Sequence, residues 1–137
     1  MNTSKLRSRP LDHLDYQQLR NTTDWEVLDD QHIKRALKND LFSICIVENG
    51  KPVGMGRVVG DGSIYFYIQD VIVLPEYKGK GVGKRIMMEI ERYLDKTISH
   101  YAFIGLMAAD GVASFYHQFG FAKRPKEAPG MFKIIRK

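Results

Sequence analysis

Gly79, Gly81 and Gly83 alternate with Lys78, Lys80, Val82 and Lys84, between an apolar stretch ending at Pro75 and a helical pattern starting at Val82. Glycine lets a backbone approach a ligand closely and turn its N–H groups toward it. A helix start adds N–H groups with no partner inside the helix, and a partial positive charge. With the cations Lys78, Lys80, Lys84 and Arg85, this pattern reads as a cradle for phosphate or pyrophosphate. Two common nucleotide motifs do not fit. A P-loop needs Ser or Thr after its Gly-Lys pair, and Arg85 follows Gly83-Lys84. The dinucleotide fingerprint G-x-G-x-x-G follows the first strand of a parallel unit, whereas this G-x-G-x-G follows two hairpin signals.

Lys78-Gly-Lys-Gly-Val-Gly83 resembles the [RQ]-x-x-G-x-[GA] acetyl-CoA signature of the GNAT family of N-acetyltransferases. Val71-Ile-Val-Leu-Pro-Glu-Tyr77 looks like the strand these enzymes place before it, and Phe115-Tyr-His-Gln-Phe-Gly-Phe121 like their second signature, a tyrosine before x-x-x-G-F. The resemblance runs from Leu41 to Phe121 and, by element order, over most of the chain. Two positions depart from the pattern. Lys78 stands where the family has Arg or Gln, and Ala108-Ala109-Asp110 stands where it often has an asparagine touching the pantetheine arm.

The resemblance implies acetyl transfer from acetyl-CoA, as co-substrate, to a primary amine, with no metal. The loop residues Lys78, Gly79, Lys80, Gly81, Val82, Gly83 and Lys84 would hold the pyrophosphate. Val71, Ile72 and Val73 would line the pantetheine arm as an added strand does, with an N–H of Val71 or Val73 facing the thioester carbonyl. Tyr116 takes the position of the family's general acid. A phenol with an ordinary pKa of ~10 stays protonated at neutral pH and can protonate a thiolate. The other reading of Tyr116 is a packed aromatic among Phe115, Phe119 and Phe121. Asp70, beside Gln69, is the candidate base, directly or through water, against a purely structural pair or turn cap. His117 is a further candidate, but adjacent helical residues point about 100° apart, which turns it to solvent. Water alone serves in many such enzymes.

Elements must position these groups. Leu11–Asn21 and Asp30–Lys38 read as helices capped by Asp12 and by Asp29 or Asp30. Leu41–Val47, Pro52–Val59 and Ser63–Leu74 read as a three-stranded meander turned at Asn49-Gly50 and Asp61-Gly62. Val82, Ile86, Ile90 and Leu94 lie four apart and predict a helix over Val82–Leu94. A strand over His100–Met107, a short helix over Gly111–Gln118, and closing strands at Phe121–Lys123 and Met131–Ile135 complete an α/β domain. Its expected sheet is mixed and mostly antiparallel, flanked by helices on both faces, in one domain over residues 1–137. Cys45, in an apolar strand with no nearby cation, reads as an inert buried thiol. Trp25, between the first two helices, reads as packing or a helix staple, with acceptor contact as the other option.

The 137 residues carry 21 basic and 16 acidic side chains, net +5. Residues 101–137 hold 6 basic and 2 acidic ones, which suits an anionic ligand. With 44% hydrophobic and 27% charged residues, the balance is globular and excludes a collagen-like or disordered chain. The longest apolar run, Ile64–Ile68, is far short of the ~20 residues of a membrane span. Met1–Arg9 lacks an apolar leader segment, and one cysteine makes no disulfide framework. The expectation is a cytoplasmic enzyme acting on a small-molecule amine, without membrane or nucleic-acid partner, with a homodimer as the family's common assembly. Two rivals stand beside it. One is a non-catalytic acyl-CoA-binding module of the same fold. The other is a nucleic-acid platform built on Tyr65 and Tyr67, which share a strand face.

Overall fold

The computed structural model describes residues 5–137, which fall into two compact units, one ending at Leu106 and one from Met107 to Lys137. Part of the Met1–Arg9 stretch therefore lies outside the described residues.

The first unit is a five-stranded sheet in the order β1-β2-β3-β4-β5. Its strands are β1 (Leu6–Arg9), β2 (Phe42–Glu48), β3 (Lys51–Gly60), β4 (Tyr65–Val73) and β5 (Phe103–Gly105). The first three pairings are antiparallel and β4–β5 is parallel, so the sheet is mixed and mostly antiparallel. Three helices belong to this unit: α1 (His13–Arg20), α2 (Asp30–Lys38) and α3 (Val82–Thr97). The β2–β3 turn follows from Asn49 (φ 51°) and Gly50 (φ 78°), both left-handed as a two-residue hairpin requires. Asp61 opens the next turn by accepting hydrogen bonds from the amides of Ser63, Ile64 and Tyr65 at 2.8–3.0 Å.

Val82, Ile86, Ile90 and Leu94 are all buried, as their spacing predicts, and each such side chain contributes roughly 1.5–3 kcal/mol by leaving water. Their seat on β3 is made by two glycines. A Cβ on Gly54 would lie 2.6 Å from Val82 Cγ1, and one on Gly56 would lie 2.7 Å from Ile86 Cγ2. The missing side chains let α3 approach the sheet and fix where its N-terminus emerges. Strand alternation puts Arg57 and Met55 on the opposite face, against α1. Helices therefore cover both faces, as expected.

Asp12 caps α1 in a reciprocal box with Asp15, and Asp29 caps α2. The structure adds β1, which the sequence did not announce. It is short, charged and half exposed, and it is tied to α3 by Ser8 Oγ donating to Glu89 (3.0 Å) and Arg85 Nη1 donating to the Leu6 carbonyl (3.1 Å).

The second unit contains α4 (Ala113–His117), shorter than the expected helix. The closing strands expected at Phe121–Lys123 and Met131–Ile135 are not formed; no helix or strand follows His117 among the described residues. Met131 and Phe132 are 85% and 75% exposed. A strand needs a partner backbone to satisfy its amides, and Pro125, Pro129 and Gly130 break the intervening stretch.

Candidate active site

The pairing of β3 with β4 slips by one residue. Met55 faces Ile72 and Arg57 faces Gln69, so Asp70 and Val71 together oppose Gly56. This is a β-bulge, and Asp70 in it is left-handed at φ 59°. The slip changes which groups face outward. Leu74 N–H donates to the Val53 carbonyl, so Leu74 and Ile72 turn their backbone groups to β3. By alternation, Val71 and Val73 turn theirs to the opposite edge. Without the slip, the even-numbered residues would face that edge. β5 covers β4 only from Tyr65 to Tyr67. From Ile68 onward, that edge has no strand partner among the described residues. Val71 and Val73 thus present backbone donors and acceptors at an open edge, able to pair with an extended amide-bearing chain.

That edge runs through Pro75–Tyr77, a 3₁₀ turn, into the glycine loop. Gly79 (φ 78°) and Gly81 (φ 85°) are left-handed, and a Cβ at either would meet nothing within 4 Å. Space above the loop is open, and only its backbone conformation demands glycine. Gly81 caps α3 without any side-chain cap, and no acidic residue lies in the first turn. The first amides of α3 are therefore uncapped donors beside a positive helix end. Lys78, Lys80 and Lys84 are exposed around them, and Lys80 Nζ rests 5.5 Å from the Tyr77 ring centre. Arg85 does not join them, since its guanidinium is engaged by Glu89 at 3.2 Å and by the Leu6 carbonyl. The arrangement fits a phosphate-bearing group with an extended arm.

Asp70 is buried and saturated. Tyr16 Oη donates to Asp70 Oδ2 at 2.7 Å and Arg57 Nη1 donates to the same oxygen at 3.0 Å. Gln69 Nε2 donates to Oδ1 at 3.2 Å, and Arg20 Nη1 lies 3.7 Å from it. Arg57 also donates to Asp40 Oδ2 (3.2 Å) and to the Ala36 carbonyl (3.3 Å). Burial works against the Arg57 charge, but Asp70 and Asp40 outweigh it and raise its pKa. Burial, then the Asp70 charge, pushes the Tyr16 phenol above its ordinary value. Nothing short-range in the sequence joins Tyr16, Arg20, Asp40 and Arg57 to Asp70. The one local signal was Arg57 itself, a charge inside the apolar run Val53–Val59.

In the second unit, Tyr116 is 8% exposed, edge-on to Phe115 (5.1 Å) and Phe121 (6.2 Å). Its carbonyl accepts from the amides of Phe119 and Phe121, which closes the turn after α4. No hydrogen bond to its hydroxyl forms among the described residues, and burial raises its pKa. It therefore stays protonated at neutral pH. His117 is exposed, as its position around the helix predicts.

Cys45 is fully buried; Arg9 pairs across from it, contrary to the expected lack of a nearby cation, but burial outweighs that charge and pushes the thiol up to about 12, in keeping with an inert role. Trp25 is not core. It is 39% exposed in the loop between α1 and α2, with the Arg20 guanidinium 5.4 Å from its ring centre. No group of three metal-ligating side chains occurs among the described residues. Among the described residues, no helix is long and apolar enough to cross a membrane.

A model of the acetyltransferase (GNAT) family matches residues 8–121. The chain is 32% identical over 120 residues to the uncharacterized N-acetyltransferase ycf52 of Pyropia yezoensis, covering 85% of this chain and 68% of that protein. It is 32% identical over 107 residues to serotonin N-acetyltransferase 2, chloroplastic, of Oryza sativa, covering 74% of this chain and 52% of that one. A solved Staphylococcus aureus structure, described as of unknown function and a probable acetyltransferase, superposes with a TM-score of 0.86 at 28% identity. It covers 97% of this chain and 100% of that one.

Proposed function

Since the chain belongs to the GNAT family of acetyltransferases, we propose that it moves the acetyl group of acetyl-CoA to the primary amine of a small molecule. The observation that carries this reading is the open edge of β4 leading directly into the uncapped, glycine-lined start of α3. When bound, the donor supplies an activated acetyl group and a thiolate leaving group. In this reading the amides of Val82, Gly83 and Lys84, with Lys78, Lys80 and the Gly79 and Gly81 backbone, hold the pyrophosphate. Backbone groups of Val71 and Val73 pair with the pantetheine arm, and Ile72 between them keeps the strand on β3. The Val71 N–H is the donor toward the acetyl carbonyl oxygen, stabilising charge as it develops.

Tyr116 supplies the proton to the departing sulfur, a role it takes from its match to the family's tyrosine signature. Its raised pKa supports this by keeping the hydroxyl protonated. The amine loses its proton to water. Asp70, expected as a base, has its oxygens occupied by Tyr16, Arg57 and Gln69, which favours a positioning role. In this reading residues 1–137 make one catalytic domain, which the family match over residues 8–121, on either side of Leu106, supports. The name of the Oryza sativa relative, serotonin N-acetyltransferase, supports a small amine as acceptor.

The test is thiol release from acetyl-CoA with a panel of small primary amines. Acceptor-dependent release with N-acetylated product is expected. CoA binding without release in any arm would favour the non-catalytic acyl-CoA-binding module instead.

A further inference from the structure

The bulge at Asp70 decides which amides of β4 face the open edge, and a left-handed residue in mid-strand does not persist unless its surroundings hold it. What surrounds it comes from three other elements. Tyr16 on α1 and Arg57 on β3 donate to one carboxylate oxygen at 2.7 and 3.0 Å. Arg57 is itself fixed by Asp40 and by the Ala36 carbonyl at the end of α2. Arg20 donates to Tyr16 Oη at 3.1 Å and to the Glu26 carbonyl at 2.9 Å, which joins the network to the α1–α2 loop carrying Trp25. Two guanidinium groups and two carboxylates balance in charge, and Asp70 and Arg57 are 4% and 7% exposed.

We infer that Tyr16 and Arg57 are positioning residues for acetyl transfer: by clamping Asp70 in its left-handed bulge they hold the Val71 and Val73 backbone at the open edge of β4. This rests on the acetyl-transfer reading above. Arg57 and Tyr16 act through the strand and touch no reacting atom. Asp70 serves as an anchor rather than as a proton acceptor. Substitutions in the network disturb the register of β4, its pairing with the pantetheine arm and the chemical step, while leaving the glycine loop and its hold on the pyrophosphate in place.

The test compares Asp70→Ala, Asp70→Asn and Arg57→Met with wild type. Each is scored by amide hydrogen exchange at Ile72 and at Ile90, and by kcat and the donor KM. Ile72 lies next to the bulge and bonds to β3, while Ile90 sits on α3 and reports global stability. In Asp70→Ala and Arg57→Met, exchange at Ile72 should rise about tenfold or more relative to Ile90, as local opening allows. In the same variants kcat should fall on the order of 10²-fold, the cost of a small misplacement of reacting groups, with donor KM rising by a smaller factor because the glycine loop still holds the pyrophosphate. Asn tolerates the left-handed conformation and keeps an acceptor oxygen. Asp70→Asn should therefore keep Ile72 slow and retain most of the wild-type kcat.

Exchange at Ile72 that does not move, or that rises only in step with Ile90, overturns the inference. So does an Asp70→Asn protein as inactive as Asp70→Ala with Ile72 still protected, since that pattern belongs to a proton acceptor. If Asp70→Ala does not fold, Arg57→Met carries the comparison. A wild type that turns over no amine counts against the acetyl-transfer reading, and the exchange measurements then decide the clamp by themselves.

Discussion

Arg57 and Asp70 sit on neighbouring strands whose register slips by one residue between them, and the guanidinium bridges that slip with a 3.0 Å bond to Asp70 Oδ2. A buried ion pair of this kind is weak evidence for stability, because the desolvation of both charges offsets much of their attraction. Its inferred role here is to hold the strand register that the bulge at Asp70 requires.

Tyr16 completes the clamp, and its phenol is raised by burial first and by the Asp70 charge second. The folded state therefore holds the Tyr16 proton more tightly than the unfolded chain does. Its contribution to stability is fully present below the unfolded value of ~10 and is lost as pH rises through the higher folded value. Urea unfolding midpoints measured from pH 8 to 11 should fall at the alkaline end. Tyr16→Phe should make that fall shallower. A slope identical to wild type would show that Tyr16 is not buried against Asp70.

Gly81 tests the cradle. Its φ of 85° is unfavourable for a side chain, but an added Cβ meets nothing within 4 Å. Gly81→Ala should therefore fold, at a cost of about 1–2 kcal/mol from the left-handed conformation. Wild-type protein with CoA at 100 times its Kd should gain about 2.7 kcal/mol of apparent stability. Gly81→Ala should gain little of this, and pantetheine, which lacks the pyrophosphate, should stabilise both proteins equally and far less than CoA stabilises wild type. A Gly81→Ala protein with full CoA stabilisation places the cradle elsewhere.

Tyr116→Phe removes one hydroxyl and keeps the ring contacts with Phe115 and Phe121. If that hydroxyl protonates the thiolate, kcat should drop on the order of 10²–10⁴-fold, with acetyl-CoA affinity nearly unchanged. That split is the mark of an interaction made in the transition state. Because burial lifts the Tyr116 pKa, wild-type turnover should show no loss attributable to this group below pH ~10. Unchanged kcat under conditions where chemistry limits the rate removes Tyr116 from the acid role.

Much of this was readable from the chain because local chemistry wrote it. The four-residue spacing of Val82, Ile86, Ile90 and Leu94 marks a helix with one buried face, and Asn49-Gly50 marks a hairpin through its backbone preference alone. The glycine loop is legible for the same reason. The clamp was not, because Tyr16 and Asp70 are separated by 54 positions and no periodic pattern records a contact of that range. The bulge was hidden as well. Phe66, Ile68, Asp70 and Ile72 are all buried at even positions, so the alternation continues unbroken through a point where the strand changes faces. β1 leaves little trace in the sequence because an edge strand of alternating cations carries little apolar signal. Met131–Ile135 misled in the opposite sense, since β-branched and aromatic residues alone do not make a strand where no neighbouring backbone pairs with them.

The most direct measurement follows the acetyl group itself. Wild-type protein is incubated with acetyl-CoA labelled in the acetyl group, a defined mixture of small primary amines, and a lysine-bearing peptide. Label should leave CoA and appear on a small amine, in step with free thiol and over many turnovers per enzyme molecule. Label that stays on CoA in every arm, or that moves only to the peptide lysines, would contradict acetyl transfer to a small amine.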